Sequence, residues 1–188
     1  MTNNEKRNYL NNILKSKDIR KNQETLFEII PELKAMRGFE HKHPHHHLDV
    51  WQHTLLVVDN LEKYEDLELL MSGLLHDIGK PYSYQDEEVR HFHGHPEVSE
   101  KMAGEILNRL EYEKEFVENV CYLIKNHDKK IEPDNLDNSI EMVKKLLKLQ
   151  FADARAHHPD KVKKRIDFLN DIKKQLEEKK LNRNGENR

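Results

Sequence analysis

Ionisable side chains occupy six positions at which the helical period of this 188-residue chain predicts an apolar residue. They are four imidazoles and two carboxylates: His53, His76, Asp77, His95, His127 and Asp153. Burying each group separately would cost a few kcal/mol, unless the groups satisfy one another or share a cation. A shared metal ion is therefore the simpler explanation. Imidazole and carboxylate ligands without a thiolate make Fe, Mn, Ni, Co and Zn all plausible.

A run of histidines precedes His53 and looks like a purification tag; it consists of His41, His43, His45, His46 and His47. The run lies in a polar loop from Gly38 to Leu48 that has no periodic face. We expect the first four to be solvated and at most to bind nickel or zinc adventitiously. His47 could face the mouth of a pocket. The chemistry is expected of the isolated His53, which shares an apolar helix face.

Almost every segment of the chain has the helical period, and no stretch alternates like a strand, so the sequence predicts an all-α fold. Seven helices are predicted besides the one that Asp49 opens: 3–16, 23–30, 66–78, 96–110, 113–127, 139–156 and 160–180. Asp49 is the expected N-cap of the His53 helix, and Gln52 would complete a capping box. Residues 82–93 are predicted to form a polar loop.

His76 and Asp77 are adjacent in the last turn of the predicted helix 66–78, which Gly79 and Pro81 stop. On a regular helix their side chains point about 100° apart. At the helix end both can nevertheless reach one ion, and there the helix dipole favours a cation.

The overall composition limits which cellular compartment and which classes of binding partner we expect for this protein. Lys and Arg number 32 against 35 Asp and Glu, so no broad basic surface for nucleic acid or an anionic membrane is expected. Binding to RNA is only weakly supported, by small patches such as "KVKKR" at 161–165. The single cysteine fits a reducing compartment, and no run of about 18 apolar residues exists. A soluble cytoplasmic protein without membrane contacts is expected; the oligomeric state stays open.

Five ordered motifs surround the candidate ligands: "LDVWQHTLLVVDN", "LLHDIGKP", "HFHGHPEVSEKMAGEIL", "YLIKNHD" and "FADARAH". The chain resembles the HD superfamily of metal-dependent phosphohydrolases, whose pattern H…HD…D reads here as His53, His76–Asp77 and Asp153. The sequence segments around these residues are similar to those of the HD domain appended to bacterial tRNA nucleotidyltransferases. The resemblance covers roughly residues 38 to 160, and it implies a helical bundle with the metal site in its core.

The resemblance also implies a set of metal ligands. His53, His76, Asp77 and Asp153 would hold one divalent metal. In family members with two metals, Asp77 would bridge to a second ion bound by His95 and His127. With a single metal, those two histidines are left for binding phosphate or transferring protons.

Each of these residues has an ordinary structural alternative. His53 could be a hydrogen-bonded core histidine, and Asp153 a buried salt-bridge acid. His95 could simply cap its helix, and His127 could serve the helix dipole. The His76–Asp77 pair could be a helix C-terminal cap.

The resemblance suggests a division into three segments: an N-terminal helical extension packed on the core, 1–37; an HD domain, 38–160; and a C-terminal helix with a frayed tail, 161–188. Since the chain upstream of the motifs is short, we expect no nucleotidyltransferase domain and no addition of nucleotides to tRNA. Fold, metal site and hydrolytic chemistry are what the resemblance carries over, and the substrate is left open.

Residues for the chemistry follow from this expectation. Asp77 would orient the attacking water and accept its proton. Lys80, directly after the ligands in "HDIGK", is the first candidate for holding the substrate phosphate, although it could be a solvated lysine. Arg155 is the second candidate and Arg37 the third, with a surface charge or a salt bridge as the alternative for both.

The loop 82–93 contains Tyr82, Tyr84, Phe92 and His93, which could stack on a base or cover the site. The function expected is a phosphomonoesterase or phosphodiesterase acting on a nucleotide or a related small phosphate ester, with one or two transition metals. The family's association with 2′,3′-cyclic nucleotides and nucleotide phosphatase activity makes these the first substrate classes to test. Two alternatives are a silent, metal-containing module that binds nucleotide or RNA, and an HD-type di-iron oxygenase.

Overall fold

A computed structural model describes residues 1–42, 48–85, 90–132 and 139–185. These ranges contain eight α-helices: α1 (Asn3–Lys15), α2 (Gln23–Ile29), α3 (Val50–Leu61), α4 (Leu67–Leu75), α5 (His95–Arg109), α6 (Lys114–Asn126), α7 (Ile140–Arg155) and α8 (Pro159–Gly185). Within them the only β pairing consists of two isolated bridges. The prediction of an all-α bundle is confirmed.

Local capping explains several boundaries. Asp49 Oδ1 accepts a hydrogen bond from the Gln52 amide at 2.7 Å, so α3 begins where predicted. The reciprocal bond of a capping box is not formed there among the described residues. A complete capping box instead begins α1, where Thr2 and Glu5 bond each other's backbone amides. Helix α8 extends beyond the predicted range 160–180.

Helix α4 is the centre of the bundle. Every residue from Leu69 to Leu75 is buried, and α4 packs against α1, α3, α6 and α7. A helix that is apolar on all sides must be enclosed by other elements. Its C-terminal end therefore delivers the residues that follow it into the interior of the protein.

The N-terminal helices belong to the same hydrophobic core. Phe27 of α2 packs on Trp51 of α3 with ring centroids 4.9 Å apart, and the Trp51 indole donates to Gln23 Oε1 at 2.7 Å. Leu10 and Leu14 of α1 are also buried in this core. These contacts fix the start of α3, and with it the position of His53.

Arg90 joins two polar segments near the end of α4. Its guanidinium donates to the Glu40 carbonyl at 2.6 Å and packs against the adjacent rings of Phe39 and Tyr84, 4.6 and 4.8 Å from their centroids. The Arg90 amide also donates to the Lys42 carbonyl at 3.2 Å. Residues near 40 and near 90 are thus held together at one end of the bundle. None of the described helices is both long and apolar enough to cross a membrane.

Candidate metal centre

His76 and Asp77 occupy a tight turn rather than the last turn of α4. The helix ends at Leu75, and the Ile78 amide then donates to the Leu75 carbonyl at 3.2 Å, a bond spanning three residues. The turn brings neighbouring side chains together, with His76 Nε2 only 3.2 Å from Asp77 Oδ2. Both side chains are buried. The side chains of His76 and Asp77 thus converge, as expected, because the chain leaves the α-helix at Leu75 and enters this turn.

Helices α3 and α7 supply the second pair. His53 Nε2 lies 3.0 Å from Asp153 Oδ1 and 3.7 Å from Asp77 Oδ2, and His76 Nε2 lies 3.8 Å from Asp153 Oδ1. The structure therefore brings the H…HD…D residues, which span 100 positions in the chain, around one point.

His95 and His127 complete the cluster on the other side of Asp77. His95 begins α5 and His127 caps α6, and their Nε2 atoms are 3.3 Å apart. They lie 3.3 and 3.8 Å from Asp77 Oδ1, so this carboxylate faces histidines on both sides. Asp128 joins them, with Oδ2 3.3 Å from His95 Nε2.

The histidine rings share one orientation. In His76, His95 and His127 the Nδ1 atom lies 2.9, 2.9 and 2.6 Å from the carbonyl oxygen three residues earlier. A carbonyl only accepts, so Nδ1 carries the proton in the neutral ring and Nε2 keeps a lone pair. All three Nε2 atoms face the cluster, which is the arrangement by which protein histidines hold a metal.

Unsatisfied buried atoms test whether a cation fits here. His76 Nε2 and both carboxylate oxygens of Asp77 are buried without a well-directed hydrogen bond from any described residue. Lys80 Nζ does lie 2.8 Å from Asp77 Oδ2, but the direction of approach is poor for a hydrogen bond, so we regard this contact as a charge pair. Buried polar atoms without partners are rare in proteins, and a divalent metal would satisfy these.

Three overlapping groups of ligand atoms each lie within 4.8 Å of one another: His53–His76–Asp153, His76–Asp77–His127 and His95–His127–Asp128. The donor set of imidazole and carboxylate suits a divalent transition metal. The cluster could hold one ion or two, since the outer two groups share no residue.

The electrostatics of the cluster favour a positive charge at its centre. Burial alone would raise the pKa of Asp77, but His76 and Lys80 lower it well below its usual range. Burial would lower the pKa of His76, whereas the neighbouring carboxylate of Asp77 raises it above its usual value. A field that draws a proton to His76 Nε2 also draws a metal cation.

His41 requires a correction. It was expected to be solvated with the rest of its run, but it is buried, and its Nδ1 bonds the Leu48 carbonyl at 3.0 Å. Its Nε2 lies 3.3 Å from Lys80 Nζ. Burial, and then the charge of Lys80, lower the pKa of His41 to about 2, so this histidine is neutral. The other four members of the run lie outside the described residues.

Three further residues reach the cluster without having been singled out: Asp128, His157 and Arg165. His157 stacks on His53 at 5.3 Å between centroids and follows Asp153 by one helical turn, a spacing that could have indicated it. Arg165 of α8 lies 3.5 Å from Asp153 Oδ2. Nothing in the sequence pattern placed α8 against the centre.

The two arginine candidates lie elsewhere. Arg155 is exposed, stacks on Phe151 at 5.2 Å and lines a different cavity. It shares α7 with Asp153, but two residues along a helix turn a side chain by about 200°, to the opposite face. Arg37 pairs with Glu24 at 2.9 Å on the surface, as its alternative interpretation held.

A cavity of about 370 Å³ opens onto the cluster. His91, Phe92 and His93 line its mouth, and the His91 and His93 rings stack at 5.5 Å. Lys80 Nζ lies 5.4 Å from the Phe92 ring centroid, so this ring covers the lysine from one side. Tyr82 and Tyr84 are 58% and 42% exposed, outside the cavity lining. Residues 86–89 of the predicted loop lie outside the described ranges.

Comparison with known protein families agrees with this geometry. The family model described as "HD domain" matches residues 45–183, which include every member of the cluster except His41. The chain belongs to the HD domain family. The match continues into α8, the helix that supplies Arg165.

Curated relatives of this HD domain are much longer proteins. It is 38% identical over 104 residues to the CC-adding tRNA nucleotidyltransferase of Thermus thermophilus, covering 52% of this chain and 24% of that protein. Against the A-adding tRNA nucleotidyltransferase of Deinococcus radiodurans it is 32% identical over 139 residues, covering 68% and 32%. The chain thus spans about a quarter to a third of the length of these relatives. The suspected resemblance is confirmed.

Proposed function

We propose that this HD domain is a metal-dependent phosphohydrolase that cleaves a phosphate ester of a nucleotide or a related small molecule. The observation that supports it most directly is the convergence of imidazole Nε2 atoms on Asp77, whose buried carboxylate oxygens receive no well-directed hydrogen bond from the described part of the chain. Proteins rarely leave a buried carboxylate in this state unless a cation binds it. A metal-dependent hydrolase would account for both the converging imidazoles and the buried carboxylate.

His53, His76, Asp77 and Asp153 are the proposed ligands of the first metal. His95 and His127, with Asp77 between them and the first group, are the proposed ligands of a second. A bound divalent metal supplies hydroxide at neutral pH and positive charge for a phosphoryl oxygen. Its identity among Fe, Mn, Ni, Co and Zn is left to direct analysis.

Lys80 is the proposed contact for the substrate phosphate. Its ammonium lies between the Asp77 carboxylate, at 2.8 Å, and the His41 imidazole, at 3.3 Å. Because His41 Nδ1 bonds a carbonyl, its Nε2 accepts from the lysine, whose ammonium lines the cavity. A fixed cation of this kind stabilises charge on the equatorial oxygens of a transferring phosphoryl group.

Asp77 and the cavity mouth complete the proposal. The low pKa of Asp77 keeps its carboxylate ionised, so it can bind a cation and accept a hydrogen bond that orients the attacking water molecule. At the mouth, the stacked rings of His91 and His93 offer flat surfaces for a base, and a cavity of about 370 Å³ has room for a small ligand. The relatives are named for nucleotide addition to tRNA, which is consistent with a nucleotide substrate.

The test combines metal analysis with a substrate screen. Protein purified without a polyhistidine tag is loaded with Mn, Ni or Co and assayed on bis-p-nitrophenyl phosphate, nucleoside monophosphates and 2′,3′-cyclic nucleotides. We expect turnover by the wild type and a loss of about 100-fold or more in His76→Ala. The matched control is His158→Ala, which removes a half-exposed histidine outside the cluster and should keep full activity.

The outcomes separate the alternatives. No turnover by metal-replete protein across the panel, with His76→Ala indistinguishable from the wild type, would reject the hydrolase. A nucleotide bound tightly and recovered intact would support the silent binding module. Two irons per chain with oxygen consumption on an organic substrate would support the oxygenase.

A further inference from the structure

A second cavity, of about 590 Å³, lies between α7, α8 and the short turn Glu62–Tyr64 that follows α3. Five basic side chains line this outer groove: Lys63, Lys144, Lys148, Arg155 and Lys173. Within the described part of the chain, Glu177 is the only acidic residue in its lining. The chain as a whole has a net charge of −3, so the groove concentrates positive charge on an otherwise acidic protein.

The outer groove is separate from the metal centre. At about 100° per residue, Lys144, Lys148, Phe151 and Arg155 fall on one stripe of α7, whereas Asp153 points to the opposite side. A helix with its side chains is about 10–12 Å thick, so a ligand in the groove could not touch the centre through α7. The groove therefore calls for an explanation of its own.

Three of the five cations have no acidic partner among the residues that the structure describes. Lys144 lies 2.7 Å from Glu141 and Lys173 lies 3.9 Å from Glu177. Lys63, Lys148 and Arg155, in contrast, form no ion pair with any carboxylate in the described ranges. Their charge is available to a bound anion.

Aromatic rings hold these three cations in place. Lys63 Nζ and Lys148 Nζ lie 5.1 and 4.7 Å from the centroid of Tyr64, and the Arg155 guanidinium lies 5.2 Å from that of Phe151. Cation–π contacts orient a side chain without neutralising its charge. Arg155 is exposed, so the outer face of its guanidinium plane is open for stacking.

The shape of the groove suits a chain of phosphates rather than one phosphate. From Lys144 to Arg155 the stripe rises about 16 Å along α7, at 1.5 Å per residue. A row of basic side chains that ends in an exposed guanidinium plane can contact the backbone phosphates of a single strand and stack on one of its bases. We propose that the outer groove binds a segment of single-stranded RNA, independently of any hydrolysis at the metal centre.

The test measures binding of a fluorescein-labelled oligouridylate of about 12 nucleotides, within the range of known single-strand sites. Fluorescence anisotropy with the full chain is recorded at several salt concentrations. Neutralising the three cations in Lys63→Gln/Lys148→Gln/Arg155→Gln should weaken binding by at least about tenfold. The slope of log K against log salt should also fall by about 2, because each phosphate contact on a single strand contributes about 0.7.

The matched control removes three exposed lysines that lie outside the lining of the groove: Lys34, Lys101 and Lys114. Their replacement by Gln makes the same change in net charge and should leave affinity and slope near those of the wild type. Circular dichroism melting shows whether each variant is folded. Equal losses of affinity in the two triple variants would overturn the proposal. So would competition experiments in which inorganic polyphosphate, which has no bases, displaces the labelled oligouridylate from the wild type as well as unlabelled RNA does.

Discussion

Gly79 is the position at which the fold depends most sharply on the absence of a side chain. A Cβ added there would lie 2.6 Å from the Ser99 amide nitrogen and 2.9 Å from the His95 carbonyl oxygen, where ordinary contact begins at 3.4 Å. Both atoms belong to the backbone of α5, so no side chain can move aside. In Gly79→Ala the start of α5 must therefore shift by about 0.5–0.8 Å.

The size of the effect follows from two opposing terms. Overpacking of this kind costs about 1–3 kcal/mol. The backbone at Gly79 is right-handed helical, with φ −81° and ψ −15°, so alanine is not strained there and gains about 0.4–1 kcal/mol through the unfolded chain. Because the added Cβ meets backbone atoms, the overpacking cost should fall in the upper half of its range, about 2–3 kcal/mol. The net loss is then about 1–2.6 kcal/mol, which for a chain of this length lowers Tm by about 2–10 °C.

Thermal unfolding followed by circular dichroism measures this loss, and Gly104→Ala is the matched control. Gly104 lies inside α5, where an added Cβ would meet only Cys121 Sγ at 3.5 Å, an ordinary contact. Because glycine is unfavourable within a helix, this control should gain about 0.5–1 kcal/mol. A Gly79→Ala protein as stable as the wild type, alongside a stabilised Gly104→Ala, would refute the reasoning.

The shift at Gly79 should also reach the metal centre. His95 begins α5, and its Nε2 lies only 3.3 Å from Asp77 Oδ1. We therefore expect Gly79→Ala to retain less metal than the wild type after dialysis. Elemental analysis at a temperature below the Tm of the variant measures this. Unchanged retention would show that the turn and the helix start move together.

Two further predictions concern other parts of the fold. The Asp66 carboxylate accepts hydrogen bonds from the Glu68 and Leu69 amides at 3.0 and 3.2 Å and so caps α4. In denaturant unfolding, Asp66→Ala should lower the free energy of unfolding by about 0.5–2 kcal/mol and Asp66→Asn by much less. Equal losses in the two variants would argue against the cap. Hydrogen bonding to Arg109 lowers the pKa of Glu32, so the pair stabilises the protein above the usual glutamate pKa, and this stabilisation is lost as pH falls through the lowered value. The Tm difference between wild type and Glu32→Gln should be positive near neutral pH and vanish in acid, and a difference independent of pH would contradict this.

Helix positions were predictable because their signals are local. Asp49 caps α3 and the Pro96 region opens α5 close to the expected residues, since capping and proline geometry involve only neighbours in the chain. The end of α4 was placed three residues too late, at residue 78 instead of Leu75. A tight turn of three-residue hydrogen bonds keeps nearly the same spacing of apolar residues as a helix, so the period alone does not reveal it.

The sequence by itself determined which side chains are out of place on apolar helix faces, because a charged or polar group at a core position stands out against the period. Only the tertiary structure decided what else joins them. His41 reaches the cluster from a loop that has no hydrophobic period, and Arg165 reaches it from α8, a helix distant in the chain. Both positions depend on tertiary packing, which no local sequence pattern encodes. The orientation of Arg155, in contrast, followed from the sequence, because a step of two residues from Asp153 along the predicted helix 139–156 reverses the face on which a side chain lies.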